Sequence, residues 1–170
     1  MDQTVAVYHR LLNDYPDSEQ AQWAQLALGE TYRAQEEYQQ AIEAYDVIRE
    51  RGTERYSVDI VIDGLLRLAE TYSQIGQDRD AGTTYLRIRY LYKDYDPYRA
   101  FQATVYAADA FAKAGETLAQ AAYTHQAKDE YENAIEFYES SVPQVQDAGE
   151  RKKWDALYDY ATNQLQQLFK

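Results

Sequence analysis

A short segment of this chain returns at intervals of about 40 residues. Leu28-Gly29-Glu30-Thr31-Tyr32 reappears as Leu68-Ala69-Glu70-Thr71-Tyr72 and, weakened, as Ala107-Ala108-Asp109-Ala110-Phe111. The first two copies are each followed by a break and a second helical stretch with Ala and Tyr four apart, Ala41 with Tyr45 and then Ala81 with Tyr85. A unit of this kind cannot bury its apolar face alone and must stack on its neighbours. The expected fold is therefore all-α, a right-handed superhelical stack of antiparallel helix hairpins. No strand-like alternation of apolar and polar residues competes with it.

Apolar periodicity and capping residues set the expected elements. Residues 2–15 form a helix with Val5, Tyr8, Leu11 and Leu12 on one face, ended by Tyr15-Pro16-Asp17-Ser18. Helices over 19–35 and 38–50 make the first hairpin, and Gly52 stops it. Ser57 caps a helix over 58–75, Gly76 closes it, and 78–93 pairs with it. Asp96-Pro97 opens the next helix, a capping Asp followed by Pro at the first position, and Gly115 is expected to end it. Residues 117–142 hold no Gly or Pro and read either as one helix or as two. The likeness of Glu130–Tyr138 to Glu37–Tyr45 favours two, with a turn near Lys128-Asp129. A closing helix spans 150–169. The chain thus divides into repeats at 19–50, 57–93 and 97–147, flanked by 2–15 and 150–169.

The repeated residues resemble the tetratricopeptide repeat, which sets Leu-Gly and then Tyr on its first helix, and Ala followed by an aromatic four later on its second. Leu28-Gly29, Tyr32, Tyr38, Ala41, Ile42 and Tyr45 carry the likeness in one copy, and Leu68-Ala69, Tyr72, Gly76, Ala81 and Tyr85 in the next. Small residues such as Gly29, Ala41 and Ala69 let helices approach, and aromatics fill the remaining space. The family's usual Trp has no counterpart at Gln25, and Trp23 stands two residues earlier. Residues 4–50, with Tyr15-Pro16-Asp17-Ser18 between helices, are similar to bacterial envelope tetratricopeptide proteins, the outer-membrane assembly lipoproteins and the Tol–Pal coordinator. That likeness implies a periplasmic scaffold.

Chemistry is not expected. His9 and His125 are the only histidines, and no zinc, nucleophile-elbow or phosphate-loop motif is present. His9 reads as a surface residue, and His125 as a packing residue standing where the repeat expects an aromatic. No catalytic residue, metal ligand or cofactor is assigned. The absence of Cys excludes disulfides and thiolate metal sites. A net charge of −12 argues against nucleic acid and anionic membranes. No apolar run approaches the roughly 20 residues of a spanning helix.

By the register of the resemblance, the first helix of each repeat lines a concave groove. Its expected lining is Trp23, Leu26, Glu30 and Arg33; Asp63, Leu66, Glu70 and Gln74; and Gln102, Val105, Asp109 and Lys113. Glu30, Glu70 and Asp109 share one repeat position and would form a column of carboxylates suited to a basic peptide or protein. The function expected is a non-catalytic scaffold for a protein partner. The alternatives are a self-association module and a regulatory domain of a larger protein. Helix 2–15 matches the second helix of a repeat whose first is missing, so the chain is expected to be a fragment of a longer array. In a complete chain, the stripe Val5, Tyr8 and Leu12 would be covered by another copy.

Overall fold

The structure, a computed structural model, describes residues 3–169. The described residues form eight α-helices and one 3-10 turn, with no strand. The fold is all-α, as the periodicity requires. The chain forms two compact units, residues 1–76 and 77–170.

The first unit holds α1 (Gln3–Asp14), α2 (Glu19–Ala34), α3 (Tyr38–Arg55) and α4 (Val58–Gln74). Asp2, placed at the start of the first helix by its sequence, lies outside the described residues. Ser18 and Ser57 cap α2 and α4, accepting from the backbone N–H groups of Ala21 and Ile60 and so satisfying donors the helix leaves open. Gly52, at φ +51° and ψ −148°, breaks the helical geometry of α3 before its last turn. The regular helix thus stops at Gly52 as expected, and one further helical turn follows it to Arg55. Arg55 then ties the turn between α1 and α2, donating to the Pro16 carbonyl at 2.8 Å and pairing with Asp17.

Two glycines let these helices meet. A Cβ on Gly29 of α2 would stand 2.7 Å from Tyr45 Cδ1 and Cζ, and one on Gly64 of α4 would stand 2.9 Å from Ile48 Cγ2. Both partners lie on α3, which therefore packs against α2 and α4. The stripe of α1 is partly covered within the chain. Val5 is buried with Leu28 and Ala44, and Tyr8 and Leu12 pack alongside.

The second unit holds α5 (Asp78–Tyr92), α6 (Pro97–Leu118), α7 (Ala121–Ser141), a 3-10 turn (Val142–Gln144) and α8 (Ala148–Gln167). Two sequence expectations fail here. Gly115 does not stop α6 but lies buried inside it, where a Cβ would meet Thr124 Oγ1 of α7 at 2.6 Å. Close approach to α7, not a turn, is what this glycine provides. The helix ends instead at Ala119, in the left-handed region at φ +49°. No turn falls at Lys128-Asp129, because α7 is continuous from Ala121 to Ser141. The segment copying Glu37–Tyr45 occupies its second half. Its first half extends the hairpin and packs against the lengthened end of α6.

Trp154 anchors α8. It is buried, lies flat against Phe101 of α6 at 5.1 Å between centroids, and has Tyr98, Phe137 and Tyr138 around it. Buried carboxylates pin the other helices. Lys113 of α6 reaches Asp78 of α5 at 2.8 Å, and Arg89 of α5 reaches Glu130 of α7 at 2.8 Å. Removing either cation would leave a buried charge without compensation, the costly half of such a pair.

Candidate functional site

The residues expected to line the groove separate into three groups. Trp23, Glu30 and Gln74 are exposed on the first unit, with Arg33, Asp63, Leu66 and Glu70 half-buried. Trp23 is 51% exposed, a large aromatic presented to solvent at one end of α2. Leu26 and Val105 do not belong to an open face. They are 7% and 0% exposed and pack inside the protein. Helical spacing put them beside the open positions, but the helices on either side close over them. In the second unit, Gln102 of α6 donates to Tyr106 at 3.1 Å, and Lys113 is committed to Asp78.

The carboxylates do not form a column of unpaired charge. Arg67, absent from the expected set, lies between two of them. Its Nε is 3.2 Å from Glu30 Oε1 and its Nη1 3.1 Å from Glu70 Oε2. Arg33 approaches the same Glu70 oxygen at 2.6 Å. Two carboxylates and two guanidiniums thus alternate across α2 and α4 as a neutral chain. For Arg67, desolvation favours the uncharged form, but the hydrogen bond and charge of Glu70, then Glu30, outweigh it and raise its pKa above the ordinary value. Tyr45 is fully buried below these groups, and burial pushes its hydroxyl well above the usual tyrosine range, with Arg33 pulling the other way. Gln74 donates to the Tyr38 hydroxyl at 2.9 Å, extending the polar chain from α4 to α3.

Asp109 lies apart, in the second unit. It accepts hydrogen bonds from Tyr131 of α7 and, at 3.1 Å, from Tyr160 of α8. Burial holds its carboxyl above the usual range, with the two hydroxyls opposing. Tyr160 is pushed up to about 12 by burial and then by Asp109. This carboxylate joins three helices, a structural task that leaves it poorly placed to receive a partner's charge.

The histidines exchange their expected settings. His9 is half-buried, its Nε2 3.2 Å from the Tyr32 hydroxyl. His125 is exposed, bonded to the Ala121 carbonyl at 2.7 Å and edge-on to Phe169. Gln25, at the place of the family's Trp, is buried and donates from Nε2 to the Ala44 carbonyl at 2.9 Å. Among the described residues no group of three or more His, Asp or Glu is placed to hold a metal ion. Among the described residues no helix is long and apolar enough to cross a membrane.

Models of the tetratricopeptide repeat match residues 24–51, which span α2 and α3, and residues 63–95, which span α4 and α5. Both segments are similar to tetratricopeptide repeats. No curated protein gives a significant match to the chain. Tetratricopeptide repeats generally mediate protein–protein interaction and act as non-catalytic scaffolds. In the first repeat, Gly29 and Tyr45 form the close helix contact that the repeat pattern requires, and Ala41 is buried one turn before Tyr45. The second repeat supplies Arg67 and Glu70 to the polar chain on the open face of α2 and α4.

Proposed function

We propose that this protein is a non-catalytic scaffold that binds a protein partner through the open face of its first repeat helices. The observation that carries the reading is the combination on α2 and α4: an exposed Trp23 beside a chain of pre-ordered polar groups, Glu30, Arg67, Glu70 and Arg33. Aromatic and Arg side chains are the residue types that dominate interface energetics. Side chains already held by one another lose little further freedom on binding, which favours affinity.

A basic partner fits the net charge of −12 through long-range attraction. Glu30 and Glu70 add little to that attraction, since each already faces a guanidinium. The likeness of residues 4–50 to bacterial envelope scaffolds leads us to assign the protein to the periplasm. Fractionation of the native cell tests that assignment, and recovery in the cytoplasmic fraction would contradict it.

A photo-crosslinking amino acid at position 23, compared with one at Glu50 on the exposed side of α3, tests the binding face. The expected result is a partner adduct at position 23 and none at position 50. Adducts at position 50 alone would move the site off this face. The self-association reading predicts instead that the adduct at position 23 is a dimer of this chain.

A further inference from the structure

A cleft of about 380 Å³ lies in the first unit on another side of α2, between α1 and α3. Its lining follows three helical stripes. His9, Leu12 and Asn13 come from α1, Ala21, Gln25 and Leu28 from α2, and Gln40, Glu43 and Val47 from α3. These positions recur at three- and four-residue spacing, so each helix turns one continuous face into the cleft. On α2 they alternate with Trp23, Glu30 and Arg33, which point elsewhere. The cleft is thus separate from the face described above.

We propose that this cleft is a second protein-binding site that takes an extended peptide segment. Three side-chain amides converge on it from three helices: Asn13, Gln25 and Gln40. An amide can donate and accept at once, the pattern that a peptide main chain offers. Gln25 is held in place by its bond to the Ala44 carbonyl, while Asn13 and Gln40 stand exposed on opposite walls. A helical partner would satisfy its own main-chain groups internally and leave these amides idle, whereas an extended segment brings unpaired N–H and C=O groups. Leu12, Leu28 and Val47 supply the apolar floor between them.

Charge sets the spacing the peptide must carry. Glu43 and Arg51 both line the cleft from α3. They lie eight residues apart, about 12 Å along a helix that rises 1.5 Å per residue. An extended chain advances about 3.3 Å per residue. The cleft therefore selects a segment with a basic and an acidic side chain about four residues apart.

The test uses the full chain and a fluorescein-labelled peptide, acetyl-Ala-Lys-Val-Ala-Ser-Glu-Ala-amide, followed by anisotropy and by NMR of the side-chain amides. Saturable binding is expected, with shifts at Asn13, Gln25 and Gln40. The double variant Asn13→Ala, Gln40→Ala should weaken binding at least tenfold, and a peptide with Gln at both charged positions at least fivefold. Trp23→Ala should leave this binding unchanged, which separates the cleft from the α2–α4 face. Failure to saturate at about 1 mM, a range in which even weak complexes form, would overturn the proposal. Affinity indifferent to the double variant would do the same, as would shifts confined to the Trp23 side of α2 or tighter capture of a helical peptide than of the extended one.

Discussion

Replacing Gly29 by Ala sets two physical effects against each other, and the structure decides their sign. Gly29 lies inside α2, where Ala is favoured over Gly by about 1 kcal/mol. Propensity alone therefore predicts a more stable protein. The added Cβ, however, would stand 2.7 Å from two carbons of the Tyr45 ring, and Tyr45 is fully buried. Ordinary contact begins near 3.5 Å, so the overlap is severe and involves a ring that has nowhere to move. Overpacking of this kind costs about 1–3 kcal/mol, and this contact belongs at the upper end. The net expectation is destabilisation by about 2 kcal/mol, since propensity offsets part of the clash. Gly29→Leu should cost more. For a chain of this length, 2 kcal/mol corresponds to a melting temperature lower by about 4–8 °C. Thermal unfolding followed by far-ultraviolet circular dichroism measures it. Tyr45→Leu should relieve part of the clash, so the double variant should lose less than the sum of the single changes. A Gly29→Ala protein as stable as the parent, or more stable, would refute the packing argument and the register built on it.

Trp154→Ala should cost about 3–5 kcal/mol by emptying the aromatic cluster that seats α8, whereas Trp154→Phe should cost much less, because the indole N–H makes no hydrogen bond. Proteolytic nicking of α8 reads this directly, and equal losses for the two variants would contradict it. Asp109 has a raised carboxyl pKa, so the folded state binds its proton more tightly than the unfolded chain does. Its contribution is fully present below the unfolded value near about 4 and is lost as pH rises through the folded value. Urea midpoints should show the parent losing stability relative to Asp109→Asn over the window just above pH 4, and parallel profiles would rule this out. Glu70→Lys places a third cation beside Arg33 and Arg67 and should destabilise by about 1–2 kcal/mol, since half-exposed pairs contribute at most about 1 kcal/mol each. The loss should shrink at about 0.5 M salt, where screening acts over a few ångströms, and a salt-independent loss would mean that packing is responsible. Joint reversal of Glu30, Glu70 and Asp109 is accordingly expected to reduce stability.

Most of the fold was legible because its signals are local. Capping serines, Asp96-Pro97 and the Leu-Gly-x-x-Tyr spacing act within a few residues, and the structure places helices at each of them. Glycine was the weak signal. Gly76 has the positive φ of a stop, whereas Gly115 serves a helix contact that only a distant residue, Thr124, makes visible. The site was less legible for the same reason. Helical spacing places Glu30 and Glu70 on one face, but their electrostatics depend on Arg67, whose position beside both is a property of two helices packed together. Val105 shows the converse. Its spacing fits an open position, and burial removes it. Arg67 could have been found by noting that it lies three residues before Glu70 on the same helix face.

The central claim is that the Trp23 side of α2 and α4 binds a protein. The most direct measurement is the affinity of the partner crosslinked at position 23 for the parent chain and for Trp23→Ala, by titration calorimetry. Trp23 is half-exposed, so its truncation should leave the chain folded and its stability little changed. The account predicts a loss of at least tenfold, about 1.4 kcal/mol. Equal affinities for the two proteins, both folded, would contradict it.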